Sequence, residues 1–371
     1  MGDNKLIRVL HVGMSSNPGG VENLILNYHR NVDCTKVQFD YLDIYGEGLA
    51  FSTEIMRLGG NIYSLPNYKK HPLGAVNKLK KILDENKFDI MHVHMQSAAN
   101  LLPIIVGIEK KLPVICHSHS SSTPNGAIRK ILNCFNIKRL RKYHVAKWAC
   151  GMKAGKWMWG EDFQKENVIP NAIDTNLYRK DVSIRNKTRQ ELSINENDKV
   201  IGFVGRFGDE KNTFFLIEIL KELLKIDEGY KLLTVGGNGL YDQFVEKIKA
   251  EKLEKYYYSA GIQNSALNWY QAMDAFLLPS FFEGFPMVGV EAQAVGLHCF
   301  MSNRISREID ITDSIEFLPI EPGSSTLWAK KISEALSTKS KKIEFPENYK
   351  IMNAAAFLTD RYMKLVGREK K

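Results

Sequence analysis

Short apolar runs of strand length alternate along this chain with stretches whose apolar residues recur at helical spacing. Leu6 to Val12 is the first such run. Gly13-Met14-Ser15-Ser16-Asn17-Pro18-Gly19-Gly20 follows it, and Val21 to Tyr28 then shows the period of a helix. The alternation continues with strands predicted over Val37 to Leu42, Ile62 to Leu65, Asp89 to His94 and Pro113 to His117. Helices are predicted near Ala50 to Leu58 and Leu73 to Glu85. From Ala127 to Trp159 the pattern reads as helical and basic, with Ile131, Leu132, Phe135, Ile137 and Leu140 as its apolar positions. Strands alternating with helices predict a parallel sheet with crossover helices, in which ligands gather at the carboxyl ends of the strands.

Pro170 and the polar residues after it mark a connector, and beyond it the same pattern restarts. Val200 to Gly205 reads as a strand, Arg206 to Asn212 as a loop, and Thr213 to Lys225 as an amphipathic helix with Asn212 as its N-cap. Strands follow at Lys231 to Val235, which runs into Gly236-Gly237-Asn238-Gly239, and at Tyr257 to Ala260, which runs into Gly261-Ile262. Ala275 to Pro279, Leu297 to Met301 and Ile315 to Pro319 continue the sheet, and helices are expected at Val288 to Ala294, Ser324 to Leu336 and Asn348 to Leu365. A chain of 371 residues exceeds one ordinary core. The fold expected is α/β, with two Rossmann-like, doubly wound domains over residues 1–172 and 173–345 and a terminal helical segment over 346–371.

Composition adds little to that picture, and charge adds more. With 44% hydrophobic and 25% charged residues the chain reads as a soluble globular protein. No uninterrupted apolar stretch approaches the length of a bilayer span. No basic-then-apolar leader opens the sequence, and the five cysteines form no Cys-x-x-Cys pair, so a cytoplasmic protein is expected. The net charge is +9, and all of the excess lies before residue 181, where 25 Lys and Arg face 15 Asp and Glu. Between Glu109 and Glu161 there are eleven basic residues, among them Arg139, Arg141 and Lys142, and no acidic one. Such a segment seeks an anion: phospholipid headgroups, a lipid pyrophosphate or nucleic acid. Few aromatics at stacking intervals argues against nucleic acid. A solvated basic face is the plainer alternative to membrane contact.

The candidate chemistry sits at the predicted strand ends. Glu283 and Glu291 have seven residues between them, the first on the loop Ser280 to Pro286 and the second inside the helix that follows. Gly284 and Pro286 suit a backbone bent to offer N–H groups at a helix N-terminus, where anions are favoured. Arg206 and Lys211, five apart across a strand-to-helix loop, can converge on one diphosphate. The Gly19-Gly20 and Gly236-Gly237 pairs permit close backbone approach. His92 with His94, and His117 with His119, are each two apart and so share a face of an extended strand. They fit either imidazoles lining an active-site floor or a four-histidine metal site. The second reading lacks a nearby carboxylate or thiolate and needs separate strands to bring the pairs together.

Glu-Gly-Phe-Pro-Met-Val-Gly-Val-Glu-Ala, with Gly-Gly-Val-Glu-Asn near the start, Gly-Arg…Lys in the second half and Pro-Asn-x-x-Asp at the junction, resembles the retaining glycosyltransferases of family 4, nearest to those of bacterial capsule and exopolysaccharide assembly. The resemblance implies the GT-B architecture, two domains facing a cleft with the terminal helix crossing back to the first. It implies a nucleotide diphospho-sugar donor, UDP-linked first and GDP-linked second, and no cofactor. Arg206 and Lys211 would hold the diphosphate, Glu283 the sugar, Glu291 the ribose, and backbone near Ile262 the base. Gly19, Gly20, Gly236, Gly237, Gly284, Phe285, Pro286 and Met287 would complete the donor site. His119, with His117 second, would face the donor sugar. Two fixed cations and the absence of an Asp-x-Asp signature imply no metal. The acceptor expected is a saccharide, carried on a polyprenyl diphosphate, with His117, Arg139, Arg141 and Lys142 on the acceptor or membrane side of a protein peripheral at the inner face of the cell membrane. A nucleotide-sugar epimerase and a basic nucleic-acid- or membrane-binding module are the alternatives.

Overall fold

The computed structural model describes residues 6–124, 126–338 and 344–367. The chain divides into two compact units. One is formed by the chain up to Ile173 together with the segment from Glu347, the other by Asp174–Pro346.

The first unit runs β1 (Ile7–Val12), α1 (Gly20–Asn31), β2 (Val37–Asp43), α2 (Ser52–Arg57), β3 (Ile62–Ser64), α3 (Pro72–Glu85), β4 (Ile90–Met95), α4 (Leu102–Glu109), β5 (Val114–Ser118), α5 (Ala127–Leu140), β6 (Ala146–Ala149) and α6 (Met152–Trp159). Its strands form one sheet in the order β3-β2-β1-β4-β5-β6, every pair parallel. A parallel sheet is covered on both faces, which is why β1 and β4 are buried almost throughout and do not alternate between core and solvent.

The second unit runs α7 (Val182–Glu191), β7 (Lys199–Val204), α8 (Phe214–Leu224), β8 (Tyr230–Val235), α9 (Tyr241–Ala250), β9 (Tyr257–Gly261), α10 (Leu267–Ala272), β10 (Ala275–Leu278), α11 (Met287–Val295), β11 (His298–Ser302), β12 (Ile315–Leu318) and α12 (Ser325–Leu336). Its sheet, also parallel, has the order β12-β11-β10-β7-β8-β9. The last helix, α13 (Ile351–Leu365), belongs to the first unit and buries Ile351, Ala354, Ala355, Leu358 and Tyr362 there.

In each sheet the strand order reverses once, between β1 and β4 and between β10 and β7. Connections leave to opposite faces at such a point and open a crevice at the strand ends.

Two local expectations are corrected. The segment Ala127 to Trp159 is not helical throughout, because β6 interrupts it and adds Lys147-Trp148-Ala149 to the sheet edge beside β5. Pairing with β5 and burial of Trp148 override a helical period that reads straight through these residues. Asn212 is not a helix cap. It takes the left-handed conformation, φ 51°, and its Nδ2 donates to the Pro279 carbonyl at 3.3 Å, tying two loops together.

Candidate active site

At the reversal point of the second unit the loops leaving β7 and β10 meet. The Phe281 N–H donates to the Glu210 carbonyl at 2.8 Å, so the two backbones are joined directly. Lys211 Nζ then lies 2.6 Å from Glu283 Oε1, and the Ser280 hydroxyl donates to the same oxygen at 2.7 Å. Arg206 is more exposed and pairs with Glu210 Oε1 at 2.6 Å. The two basic side chains are thus held by different carboxylates, both on these loops. Gly284, Phe285, Pro286 and Met287 lead into α11, whose first turn has no side-chain cap. Gly236 is in a left-handed conformation, φ 132°, and a Cβ there would stand 2.0 Å from the Gly205 carbonyl oxygen, so glycine is required where β8 passes the end of β7. Gly237 packs against Ile262, which is 68% exposed.

Glu291 lies one turn into α11, with Tyr270 from α10 donating its hydroxyl to Oε2 at 2.8 Å. Burial pushes the Glu291 carboxyl above the usual carboxylate range, while hydrogen bonds from Tyr270 and Tyr178 pull it back. Those tyrosines, Ser280 and Glu210 escaped the sequence reading. Each is brought to its carboxylate or cation by the fold, and no local spacing announces it.

In the first unit Gly13, φ 114°, passes over the end of β4 so closely that a Cβ would be 2.3 Å from the His94 carbonyl oxygen. Gly19 and Gly20 start α1, and the Glu22 carboxylate braces their loop by accepting from the Ser15 N–H and hydroxyl, each at 2.9 Å. The two histidine pairs, which the sequence leaves on separate strands, are brought together by the sheet. β4 and β5 are neighbours in a register that sets His94 opposite His117. His94 Nδ1 and His119 Nε2 are 2.9 Å apart, and His92 Nε2 and His117 Nδ1 3.1 Å. His11, from β1, joins them with Nδ1 2.9 Å from His94 Nε2; it was missed because it stands alone in its strand. His92 is buried and paired, its Nδ1 2.7 Å from the Tyr362 hydroxyl of α13. Burial holds His11, His92, His94 and His117 well below the usual imidazole range, aided by His29 for His11 and by repulsion within the cluster for the other three, and burial lowers His119 to about 3. The cluster is therefore neutral at physiological pH. His117 is 1% exposed, so it lies inside the unit.

Residues 184–352 match the family model described as glycosyl transferases group 1, and residues 18–177 the model described as glycosyltransferase family 4. The chain is a group 1/family 4 glycosyltransferase. It is 29% identical over 345 residues to EpsF of Bacillus subtilis (strain 168), assigned by name to the glycosyltransferases, covering 91% of this chain and 90% of that one. It is 24% identical to the capsular polysaccharide biosynthesis glycosyltransferase CapH of Staphylococcus aureus, covering 92% and 94%. A shorter match, 25% identical and covering 61% and 60%, joins it to the UDP-Gal:alpha-D-GlcNAc-diphosphoundecaprenol alpha-1,3-galactosyltransferase of Escherichia coli. Among solved structures, that of Anabaena Alr3699/HepE in complex with UDP superposes with a TM-score of 0.71 at 19% identity, covering 98% and 97%. The two six-stranded units have the GT-B fold.

One surface of this glycosyltransferase is turned inside out. Helix α5 faces inward with Asn133, Asn136 and Leu140. The Asn133 Oδ1 accepts from the Ala98 N–H at 2.7 Å, and the Asn136 Nδ2 donates to the Ala98 carbonyl at 2.8 Å. Outward it presents Ile128, Ile131, Leu132 and Phe135, spaced as one helical stripe and exposed by up to 75%. Arg129, Lys130, Lys138 and Arg139 stand on the same helix, with the Arg139 guanidinium over the Phe135 ring. Arg141 turns away and donates to the Met158 and Trp157 carbonyls at the end of α6, while Lys142 is exposed.

Proposed function

We propose that this glycosyltransferase moves a sugar from a nucleotide diphospho-sugar, UDP-linked by preference, to a saccharide acceptor with retention of anomeric configuration. The observation that carries the reading is the Lys211–Glu283 pair at 2.6 Å, set with Ser280 and beside Arg206 where the second unit's sheet reverses. Lys211 and Arg206 take the diphosphate and stabilise the negative charge that grows on it as the glycosidic bond breaks. Two fixed cations and the α11 N-terminus supply the charge that a divalent ion would otherwise bring, so transfer runs without metal. Glu283 holds the sugar hydroxyls and steadies positive character at the anomeric carbon. The acceptor hydroxyl attacks from the leaving-group face and passes its proton to the departing phosphate. Glu291, oriented by its tyrosines, takes the ribose hydroxyls, and the Gly236-Gly237 turn with Ile262 receives the base. In the first unit the reading gives the Gly19-Gly20 turn and His119 to the substrates.

The acceptor in this reading is a saccharide on a lipid diphosphate, and the product enters cell-surface polysaccharide. The names of the Escherichia coli and Staphylococcus aureus relatives support both points. The α5 stripe with its basic border supports docking on an anionic membrane from the cytoplasmic side. No helix among the described residues is long and apolar enough to cross a membrane.

A thermal-shift series with UDP, GDP, ADP and CDP, with and without EDTA, tests the donor site. Stabilisation by UDP that survives EDTA is expected. No response to any nucleoside diphosphate, with no transfer from UDP-sugars to lipid-linked acceptors, would overturn the reading.

A further inference from the structure

Five histidines from three strand ends meet in the first unit, and donor-site chemistry uses one of them. One ring nitrogen from each of His94, His117 and His119 lies within 4.8 Å of the other two. Two of these rings are already oriented by further histidines. His94 Nε2 is held by His11 Nδ1, and His117 Nδ1 by His92 Nε2, which the Tyr362 hydroxyl anchors in turn through Nδ1. Metal-ligating histidines are oriented in this way, by a partner on the second nitrogen that fixes ring plane and tautomer.

His117 Nε2 is buried and has no hydrogen-bond partner. When His117 Nδ1–H donates to His92 Nε2, and His92 Nδ1–H to the tyrosine oxygen, that nitrogen is a bare lone pair beside His94 and His119. Leaving such an atom unmatched is costly, and a cation satisfies it.

We propose that His94, His117 and His119 form a binding site for a divalent first-row transition-metal ion of the zinc class. Imidazole is a ligand of choice for zinc, nickel and copper ions, and three imidazoles leave a fourth position for water. Zinc–nitrogen bonds of about 2.0 Å place ligand nitrogens about 3.3 Å apart. The His94–His119 pair at 2.9 Å opens slightly to admit the ion, and the third nitrogen closes on it. The proton shared by that pair moves to the other nitrogen of its own ring, so that both rings bind as neutral imidazoles. The strands that carry His94 and His117 are paired to each other, so two ligands are positioned before the ion arrives. An ion here occupies the His119 nitrogen that the transferase reading gives to the substrates, and so inhibits transfer without taking part in it. This consequence, unlike the site, rests on that reading.

The test is a cobalt(II) titration of the untagged full chain near neutral pH, following visible ligand-field bands and bound metal per chain. One ion per chain with tetrahedral-type bands is expected. His119→Gln and His117→Gln should lose it, and His92→Asn should weaken it by about tenfold. A His71→Gln/His144→Gln double variant, altered at exposed histidines, should bind as the wild type does. Circular dichroism of each variant checks its fold; His119, the least buried of the three ligands, is the variant of choice if His117→Gln fails to fold. No uptake by the wild type, or uptake unchanged in a folded His119→Gln chain, overturns the site. The response to UDP is read separately, so failure here leaves the transferase reading standing and failure there leaves this one.

Discussion

Lys211 and Glu283 are paired at 2.6 Å, and a substrate that engages both must enter that pair. Lys211→Ala and Glu283→Gln are each expected to lower transfer at least a hundredfold, about 3 kcal/mol of barrier, with thermal unfolding close to wild type. Near-normal transfer by either variant would move the site elsewhere. Glu291 gives a separate prediction. Tyr270→Phe removes the bond at 2.8 Å that orients the carboxylate and should weaken UDP binding by about tenfold in calorimetry, a loss of about 1.4 kcal/mol. At this scale the sequence was informative where a residue declares itself within its own loop, as the two glutamates and the Arg206 to Lys211 spacing do. It was silent on Ser280, Glu210, Tyr178, Tyr270 and His11, because a hydrogen-bond partner brought from another element leaves no local period.

Among the elements, α5 departs furthest from its pattern. Its apolar positions were legible, but on a core helix such a stripe turns inward, and here a pair of asparagines bonded to Ala98 holds the opposite side to the unit. The helix is therefore anchored by polar bonds that an outward substitution does not touch. Ile131→Asp with Phe135→Asp should abolish sedimentation with vesicles containing anionic lipid while leaving thermal stability unchanged. Wild-type protein that stays in the supernatant would sink the membrane assignment. A second element-level prediction concerns α7, where Arg189 is nearly buried and donates to Asp274 Oδ2 at 2.7 Å and to the Ala272 carbonyl at 3.0 Å. Asp274→Ala leaves that guanidinium without its counter-charge and should destabilise the second unit by about 3 kcal/mol or more in chemical denaturation.

Acid stability is a property of the whole chain that one buried side chain influences measurably. Burial lowers His29 from its ordinary 6.5 to about 4, against the opposite pull of Asp40 and Glu54, and its Nδ1 is 2.9 Å from the Tyr41 hydroxyl. A folded pKa below the unfolded one means that the neutral ring stabilises the fold fully above pH 6.5. That contribution, about 3 kcal/mol, drains away as pH falls from 6.5 towards 4. Unfolding free energies of the wild type and His29→Gln should therefore converge over that interval. Parallel curves would show that His29 does not govern it.

The alternation of strand and helix, the restart near Ile173 and the placing of the glutamate and arginine–lysine loops at strand ends were all legible in order and spacing. Local hydrophobic period and turn chemistry specify them, and they involve residues close in sequence. The strand order, the short edge strand β6 within a helical pattern, the outward turn of α5 and the meeting of His11 with the two histidine pairs were not. Each depends on which distant strands become neighbours. That choice is made by burial and hydrogen-bond pairing over the whole sheet, for which a single segment carries no signal.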